Sequence, residues 1–116
     1  MKYTEQEIRP WGKFYVIHDE KNYKLKRIEV NPGHRLSYQY HYKRSESWTV
    51  VEGKGKITIN GKDQIIKEGE TVIIPVMAKH RIMNNTDSNL VFIEVQTGTY
   101  FGEDDIVRLT DDYKRS

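Results

Sequence analysis

Short runs in which apolar and polar residues alternate recur along the chain, with turn-forming residues between them. They include "KFYVIHD", "YKLKRIEV", "RLSYQYH", "ESWTVVE", "ETVIIP" and "LVFIEVQ". Asn60-Gly61 separates two further runs and is a strong hairpin signal, because a type I′ turn needs positive φ at both central positions. Eight or nine short strands at this spacing indicate a β-sandwich or a β-barrel.

Composition supports an all-β fold. The chain has 12 Ile and 9 Val, against 1 Ala and 4 Leu. β-branched residues suit a pleated surface, whereas Ala and Leu are leading helix formers. A length of 116 residues allows one real hydrophobic core and is too short for two. We therefore predict one all-β domain over residues 1–116.

Charge and cysteine content exclude several classes of function. The 19 Lys and Arg and 17 Asp and Glu are mixed along the chain, whereas nucleic-acid-binding proteins usually concentrate their basic residues. A small anionic ligand remains compatible with this mixture. The absence of cysteine excludes disulfides and zinc sites built on Cys. No apolar leader and no run of eighteen apolar residues is present, which predicts a cytoplasmic protein without membrane contact.

The stretch "QYHYKRSESW", residues 39–48, places Gln39, His41 and Glu46 close together in a segment that otherwise resembles a strand. Alternation along an extended chain sends Gln39 and His41 to one face. Polar atoms on a face that points to the core cost free energy unless a partner satisfies them. A bound metal ion would satisfy all three side chains at once.

Two blocks of fixed spacing extend this cluster and resemble the two sequence motifs of the cupin superfamily. The first motif is G, five residues, H-x-H, three or four residues, E, six residues, G; the second is G, five residues, P-x-G, two residues, H, three residues, N. The chain departs from them at Gln39, where the motif has histidine, and at Met77, where it has glycine. The eight matching positions of the ten are Gly33, His41, Glu46, Gly53, Gly69, Pro75, His80 and Asn84.

The resemblance to cupins implies a double-stranded β-helix, in which two antiparallel sheets pack as a jelly-roll barrel. It also implies one divalent transition metal ion inside the barrel, with Gln39, His41, Glu46 and His80 as ligands. Such a set of nitrogen and oxygen donors suits zinc as the first candidate, and also manganese, cobalt, nickel or iron. An inward amide that bonds to the backbone is the alternative role for Gln39.

Longer stretches are similar to one branch of the cupins, the type II mannose-6-phosphate isomerase domain. That domain usually forms the C-terminal part of bifunctional mannose-1-phosphate guanylyltransferase/isomerase enzymes. The stretches are "RPWG", "YKLKRIEVNPGHRLSYQYHYKRSESW", "IIPVMAKHRIMN" and "FIEVQTGTYFGEDDIVRLTDDY". They place the domain core at residues 9–113, behind an N-terminal extension at residues 1–8.

The ligand block of this branch reads Q-x-H-x-x-R-x-E-H-W, so Gln39 is the residue that the branch expects. Ser47 replaces the histidine between Glu46 and the tryptophan, and strand alternation predicts that Ser47 points away from Glu46. In the tail, Lys114 stands where the branch usually has glycine. No nucleotidyltransferase domain fits in 116 residues, so the resemblance implies the isomerase alone.

The resemblance implies metal-dependent interconversion of mannose 6-phosphate and fructose 6-phosphate. This reaction moves a proton between C1 and C2, so it needs an electrophile at the sugar oxygens, an acid or base, and cations for the phosphate. Arg44 is predicted to act as an electrostatic clamp, and Lys43 or a metal-bound water is the candidate for moving the proton. The predicted phosphate ligands are Lys26, Arg35 and Arg108.

Two alternatives stay open. One is a non-catalytic sugar-phosphate-binding or regulatory cupin, which the replacement of the family's histidine by Ser47 supports. The other is a different metal-dependent cupin enzyme. An Fe(II) oxygenase of this second kind is disfavoured because Gln39 replaces a histidine. We also predict a homodimer, unless another segment such as "KFYVI" covers the apolar stripe opposite the ligands. That stripe consists of Leu36, Tyr38, Tyr40 and Tyr42.

Overall fold

The structure is a computed structural model that describes residues 5–114. Residues 1–4 and 115–116, which include half of the expected N-terminal extension and the two ends of the expected single domain, lie outside the described residues. Over the described range there is no helix that could cross a membrane. The strands in this range are β1 (Glu5–Arg9), β2 (Gly12–Asp19), β3 (Tyr23–Val30), β4 (Tyr38–Tyr40), β5 (Arg44–Glu52), β6 (Lys54–Ile59), β7 (Lys62–Lys67), β8 (Thr71–Ile74), β9 (His80–Met83), β10 (Leu90–Gly98) and β11 (Val107–Thr110).

The strands form two antiparallel sheets. One has six strands in the order β1-β2-β3-β10-β5-β8, and the other has five in the order β11-β4-β9-β6-β7. Strands that are distant in sequence pair in both sheets, as β10 does with β3 and β5, so the chain crosses repeatedly between the sheets. The prediction of an all-β fold is confirmed.

One edge strand has no counterpart among the predicted runs. β1 has the sequence "EQEIR" and pairs with β2 along its whole length, from Glu5 opposite Val16 to Arg9 opposite Gly12. Its residues are mostly polar and exposed, so no apolar alternation marks it. Residues 5–8 of the expected N-terminal extension therefore lie in the six-stranded sheet.

The hydrophobic core lies between the two sheets. The rings of Trp48 on β5 and Phe92 on β10 stack with their centroids 4.5 Å apart, and Ile57 and Ile82 are buried from the opposite sheet. Burial of each such side chain contributes about 2–3 kcal/mol. Trp48 also meets the ring of His80 edge-on at 5.6 Å between centroids, so the apolar core directly borders a polar cavity.

Two turns show how the local sequence sets the backbone. Asn60 and Gly61 both have positive φ, 49° and 82°, and join β6 to β7 in the predicted hairpin. Met77 has a φ of 70° at the position where the cupin motif has glycine. Its backbone nitrogen donates to the carbonyl oxygen of His41 at 2.9 Å, which holds this turn against the end of β4.

The stripe expected to join two copies is only partly at the surface. Leu36 is buried in the core, so its predicted place on the outer face is wrong. Tyr38 and Tyr40 are half-buried, whereas Tyr42 is 55% exposed. The homodimer stays a prediction.

Candidate metal centre

Three potential metal ligands converge between the sheets. His41 follows β4, Glu46 lies on β5 and His80 opens β9, so both sheets contribute. One ligand atom from each residue lies within 4.8 Å of the others, and all three side chains are buried. His41 Nε2 is 3.4 Å from Glu46 Oε2, and His80 Nε2 is 3.8 Å from Glu46 Oε1.

Backbone carbonyls orient both imidazoles. The Nδ1 atom of His41 bonds to the carbonyl oxygen of Asp105 at 2.7 Å, and that of His80 bonds to the carbonyl oxygen of Ala78 at 2.9 Å. A carbonyl oxygen only accepts, so each Nδ1 donates and each Nε2 keeps its lone pair. Ligating histidines are commonly held in this way. Both lone pairs thus lie on the side of Glu46, where that of His41 also faces Arg44 Nη2 at 3.4 Å.

Glu46 is a buried carboxylate held by two donors. Trp48 Nε1 donates to Oε1 at 3.0 Å, and Arg44 Nε donates to Oε2 at 2.8 Å. Burial works against ionisation, but the positive charge of Arg44 lowers the pKa of Glu46 to about 2, and His80 and His41 act in the same direction at the low pH at which they are protonated. Glu46 therefore carries a negative charge at neutral pH.

The two histidines are neutral at the same pH. Burial lowers the pKa of His41 to about 4. The charge of Glu46 raises this pKa, whereas the charges of Arg44 and His80 lower it further. Burial also lowers the pKa of His80. Neutral imidazole is the form that ligates a metal.

The distances from the two imidazoles to Glu46 fit a divalent ion. Zinc binds nitrogen and carboxylate oxygen at about 2.0–2.2 Å, so two ligands of one ion lie at most about 4.4 Å apart. The distances of 3.4 Å and 3.8 Å from the imidazoles to Glu46 meet this limit. His41, Glu46 and His80 thus form a group that could hold a metal ion.

Gln39 borders this group. Its Cα atom pairs with that of His80 across β4 and β9. Its side chain lines the cavity that His41, Glu46 and His80 also line. Gln39 Nε2 donates to Ser37 Oγ at 2.9 Å, so the amide carbonyl is the atom with which it could ligate. Its role as a fourth ligand stays a prediction.

The predicted cationic site residues divide into two sets. Arg44, Lys26 and Arg108 line the cavity that holds the candidate ligands. Arg35 lies elsewhere, because its guanidinium donates to the Asp112 carboxylate at 2.7 Å and 2.8 Å. Lys43 is exposed, with Nζ 5.3 Å from the centroid of the Tyr100 ring.

Glu94 is a residue of the cavity that the sequence analysis missed. It lies on β10 opposite Lys26 on β3 and Trp48 on β5, and it is buried. Gln96 Nε2 donates to its Oε1 at 2.7 Å, and its carboxyl group lies beside that of Glu46. Burial, with the charge of Glu46, raises the pKa of Glu94 to about 8. Its alternation with the inward-pointing Gln96 on "LVFIEVQ" is the signal that could have found it.

The segment between β10 and β11, residues 99–106, was also missed. Asp105 in this segment accepts from His41 through its carbonyl oxygen. Its carboxylate accepts from the backbone nitrogens of Tyr42 and Lys43 at 2.9 Å and 3.0 Å. The segment therefore holds the candidate metal ligand His41 in place, although no local sequence pattern relates residues 99–106 to His41.

A family model supports the same assignment from a different direction. The model described as "Mannose-6-phosphate isomerase C-terminal" matches residues 1–111. The chain belongs to this family. Among its relatives, the mannose-1-phosphate guanylyltransferase of Salmonella montevideo is 48% identical over 114 residues, which are 97% of this chain and 24% of that protein. This member of the isomerase family thus spans about a quarter of the relative's length.

Solved structures establish the fold of this family member. The capsular polysaccharide assembling protein CapF of Staphylococcus aureus matches with a TM-score of 0.78 and 24% identity, over 91% of this chain and 34% of CapF. The cupin domain of Schizosaccharomyces pombe Cnp3 matches with a TM-score of 0.72 and 17% identity, over 74% of this chain and 64% of that one. The predicted cupin double-stranded β-helix is confirmed.

The departure of this isomerase-family domain at Ser47 lies away from the cavity. Ser47 alternates with the buried Glu46 and Trp48 on β5 and is half-exposed on the outer face. Its neighbours across the sheet are Val95 and Ile73. The residue that differs from the family's ligand block therefore does not contact the candidate ligands through its side chain.

Proposed function

We propose that this domain interconverts mannose 6-phosphate and fructose 6-phosphate at a divalent metal centre. The observation that carries the proposal is the buried group of two neutral imidazoles directed at an ionised carboxylate, in a chain that belongs to the mannose-6-phosphate isomerase C-terminal family. The surrounding cavity is also lined by four basic side chains that suit a phosphorylated sugar, those of Arg9, Lys26, Arg44 and Arg108.

The proposed metal ligands are Gln39, His41, Glu46 and His80. Two imidazoles, one carboxylate and one amide suit zinc first, and also manganese, cobalt, nickel or iron. When bound, a divalent ion supplies a Lewis acid that polarises the oxygens at C1 and C2 of the sugar.

Arg44 is proposed to stabilise the charge that develops on those oxygens. Its guanidinium donates to Glu46, and Nη2 lies 3.4 Å from His41 Nε2, so its positive charge lies directly at the proposed reaction centre. Arginine stays protonated at all relevant pH values, which makes it a poor base and a good electrostatic donor. Donors placed at developing negative charge commonly supply large rate gains.

Proton movement between C1 and C2 is proposed to involve Glu94. It is a second carboxyl in the cavity, beside Glu46 and opposite Lys26, so its oxygens can hold or release a proton within reach of a bound sugar. Lys43, the earlier candidate, lies at the surface above Tyr100. We therefore place Glu94 ahead of Lys43 for this step.

The phosphate of the sugar is proposed to bind Lys26 and Arg108. Both line the cavity, and Lys26 carries a buried ammonium group. Cations that are already shielded from water bind phosphate oxygens strongly. Arg35, which pairs with Asp112 outside the cavity, has no part in this proposed site.

A coupled assay tests the proposal. Protein stripped with a chelator and reloaded with single metals is supplied with mannose 6-phosphate, and fructose 6-phosphate is detected enzymatically. We expect turnover only in the metal-loaded samples. A fully metal-loaded protein that binds the sugar phosphate without converting it would identify a binding module instead.

A further inference from the structure

Lys26 holds a buried ammonium group against a carboxylate from the segment of residues 99–106. The Lys26 side chain is 3% exposed, and its Nζ donates to Glu103 Oε2 at 2.5 Å. The same Nζ lies 4.3 Å from the centroid of the Phe14 ring. A buried cation needs a counter-charge, because its burial without one costs several kcal/mol. Glu103 provides that counter-charge in this structure.

Glu103 is held less firmly than the lysine that it neutralises. Its side chain is 41% exposed, and it lies in a turn between β10 and β11 and not in a strand. Asp105, in the same segment, is anchored by bonds to His41, Tyr42 and Lys43. The Glu103 side chain can therefore leave Lys26 without breaking a strand pairing or the support of His41.

The cavity is too small for a sugar phosphate in the conformation that the structure shows. Its volume is about 60 Å³, which is room for a few water molecules. Pockets for small organic ligands usually measure about 300 Å³ or more. Glu103 and Ile106, both in residues 99–106, form part of the cavity wall, so a displacement there would enlarge it.

We infer that Glu103 closes the cavity as an internal stand-in for the substrate's phosphate group, and that phosphate displaces it from Lys26. A phosphate monoester carries a charge of about −1.5 to −2 at pH 7 and three acceptor oxygens, so it competes well with a single partly exposed carboxylate. The cavity then opens only to sugars that carry an anion at the correct end. The identity of the sugar in this inference rests on the proposed function. The binding of an anion at Lys26 does not.

Binding of inorganic phosphate to the metal-loaded protein, measured by isothermal titration calorimetry, tests the inference without using turnover. Removal of the competing charge in Glu103→Gln should tighten phosphate binding about tenfold relative to wild type. Asp104→Asn is the matched control, because Asp104 is a carboxylate in the same turn that accepts from Tyr100. We expect it to bind phosphate as wild type does.

The gain should also depend on Lys26. In the double variant Glu103→Gln/Lys26→Met the tighter binding should vanish, since the two changes act on one interaction. Equal affinities in Glu103→Gln and wild type, or a gain that persists without Lys26, would overturn the inference. Because Glu103 is partly exposed, Glu103→Gln is expected to fold. If the double variant does not fold, the phosphate affinities of Glu103→Gln, Asp104→Asn and wild type decide the matter. Absence of isomerase activity would bear on the proposed function alone.

Discussion

Trp48 Nε1 donates a hydrogen bond of 3.0 Å to Oε1 of Glu46, its neighbour on the inward face of β5. Partners of this kind set the orientation of a ligating carboxylate, and their loss typically costs 10–100-fold in metal affinity. Trp48→Phe removes the donor and keeps an aromatic ring against Phe92. We expect metal affinity to fall about tenfold or more, measured by competition with a chelating dye.

Trp11→Phe is the control for that experiment, because Trp11 is a second buried tryptophan of the same cavity. We expect the control to bind metal as wild type does. Equal affinity in Trp48→Phe and Trp11→Phe would show that the bond to Glu46 has no part in holding a metal.

Metal retention should extend to a lower pH than for free imidazole. Protons compete with a metal for Nε2, and burial lowers the pKa of His41 to about 4 and also lowers that of His80. A lowered pKa weakens this competition, so bound metal should persist through about pH 6 and be lost as pH falls towards about 4. Elemental analysis after dialysis at each pH measures this. Loss of half the metal near pH 6.5 would contradict it.

Arg44→Ala should separate catalysis from metal binding. Arg44 donates to Glu46 Oε2 as Trp48 does to Oε1, but its positive charge also competes with a metal for Glu46 and His41, so at saturating metal its removal should leave the metal bound. Turnover should fall about 100-fold or more, because charge on the sugar oxygens loses its donor. Arg44→Lys, which keeps the charge, should fall less. Loss of metal from Arg44→Ala would make Arg44 a structural residue.

Met77→Gly should stabilise the domain. A residue other than glycine costs roughly 1–2 kcal/mol in the left-handed conformation that Met77 adopts, and glycine's added freedom in the unfolded chain offsets part of the gain. Met77 is 47% exposed, so little burial is lost. We expect the free energy of unfolding in urea to rise by about 0.5–1 kcal/mol.

Asn60→Gly is the matched control for the turn at Met77. Asn60 also has positive φ, but asparagine tolerates this conformation and its Oδ1 accepts from the backbone nitrogen of Lys79 at 2.9 Å, so its replacement should lower the free energy of unfolding by about 1 kcal/mol. A destabilised Met77→Gly would show that the Met77 side chain contributes more than its backbone strain costs.

The fold was predictable from sequence because its signals are local. Alternation places Glu46 and Trp48 on one face of a strand, and the Asn60-Gly61 turn fixes one hairpin. The same rule applied to "LVFIEVQ" puts Glu94 on an inward face, but its contact with Glu46 depends on how β10 pairs with β5. That pairing joins segments about fifty residues apart in the sequence, so no local pattern predicts it.

The long-range contacts of charged residues could not be predicted for the same reason. Lys26, Lys43 and Arg35 are all basic residues near the motif, and their sequence does not show which of them points inward. In the structure, strand register sends Lys26 into the cavity, and a bidentate pair with Asp112 in the tail draws Arg35 away from it. Glu103 reaches Lys26 from 77 residues away, through a turn whose position only the packed sheets determine.

Proton exchange in the sugar tests the proposed chemistry most directly. Mannose 6-phosphate is incubated in heavy water with the metal-loaded protein and followed by nuclear magnetic resonance. If the buried His41–Glu46–His80 group is the reaction centre, fructose 6-phosphate should accumulate with solvent deuterium at C1, and His80→Ala should abolish both signals. Contradiction would come from a fully metal-loaded wild-type protein that binds the sugar phosphate yet neither converts it nor exchanges its C2 hydrogen.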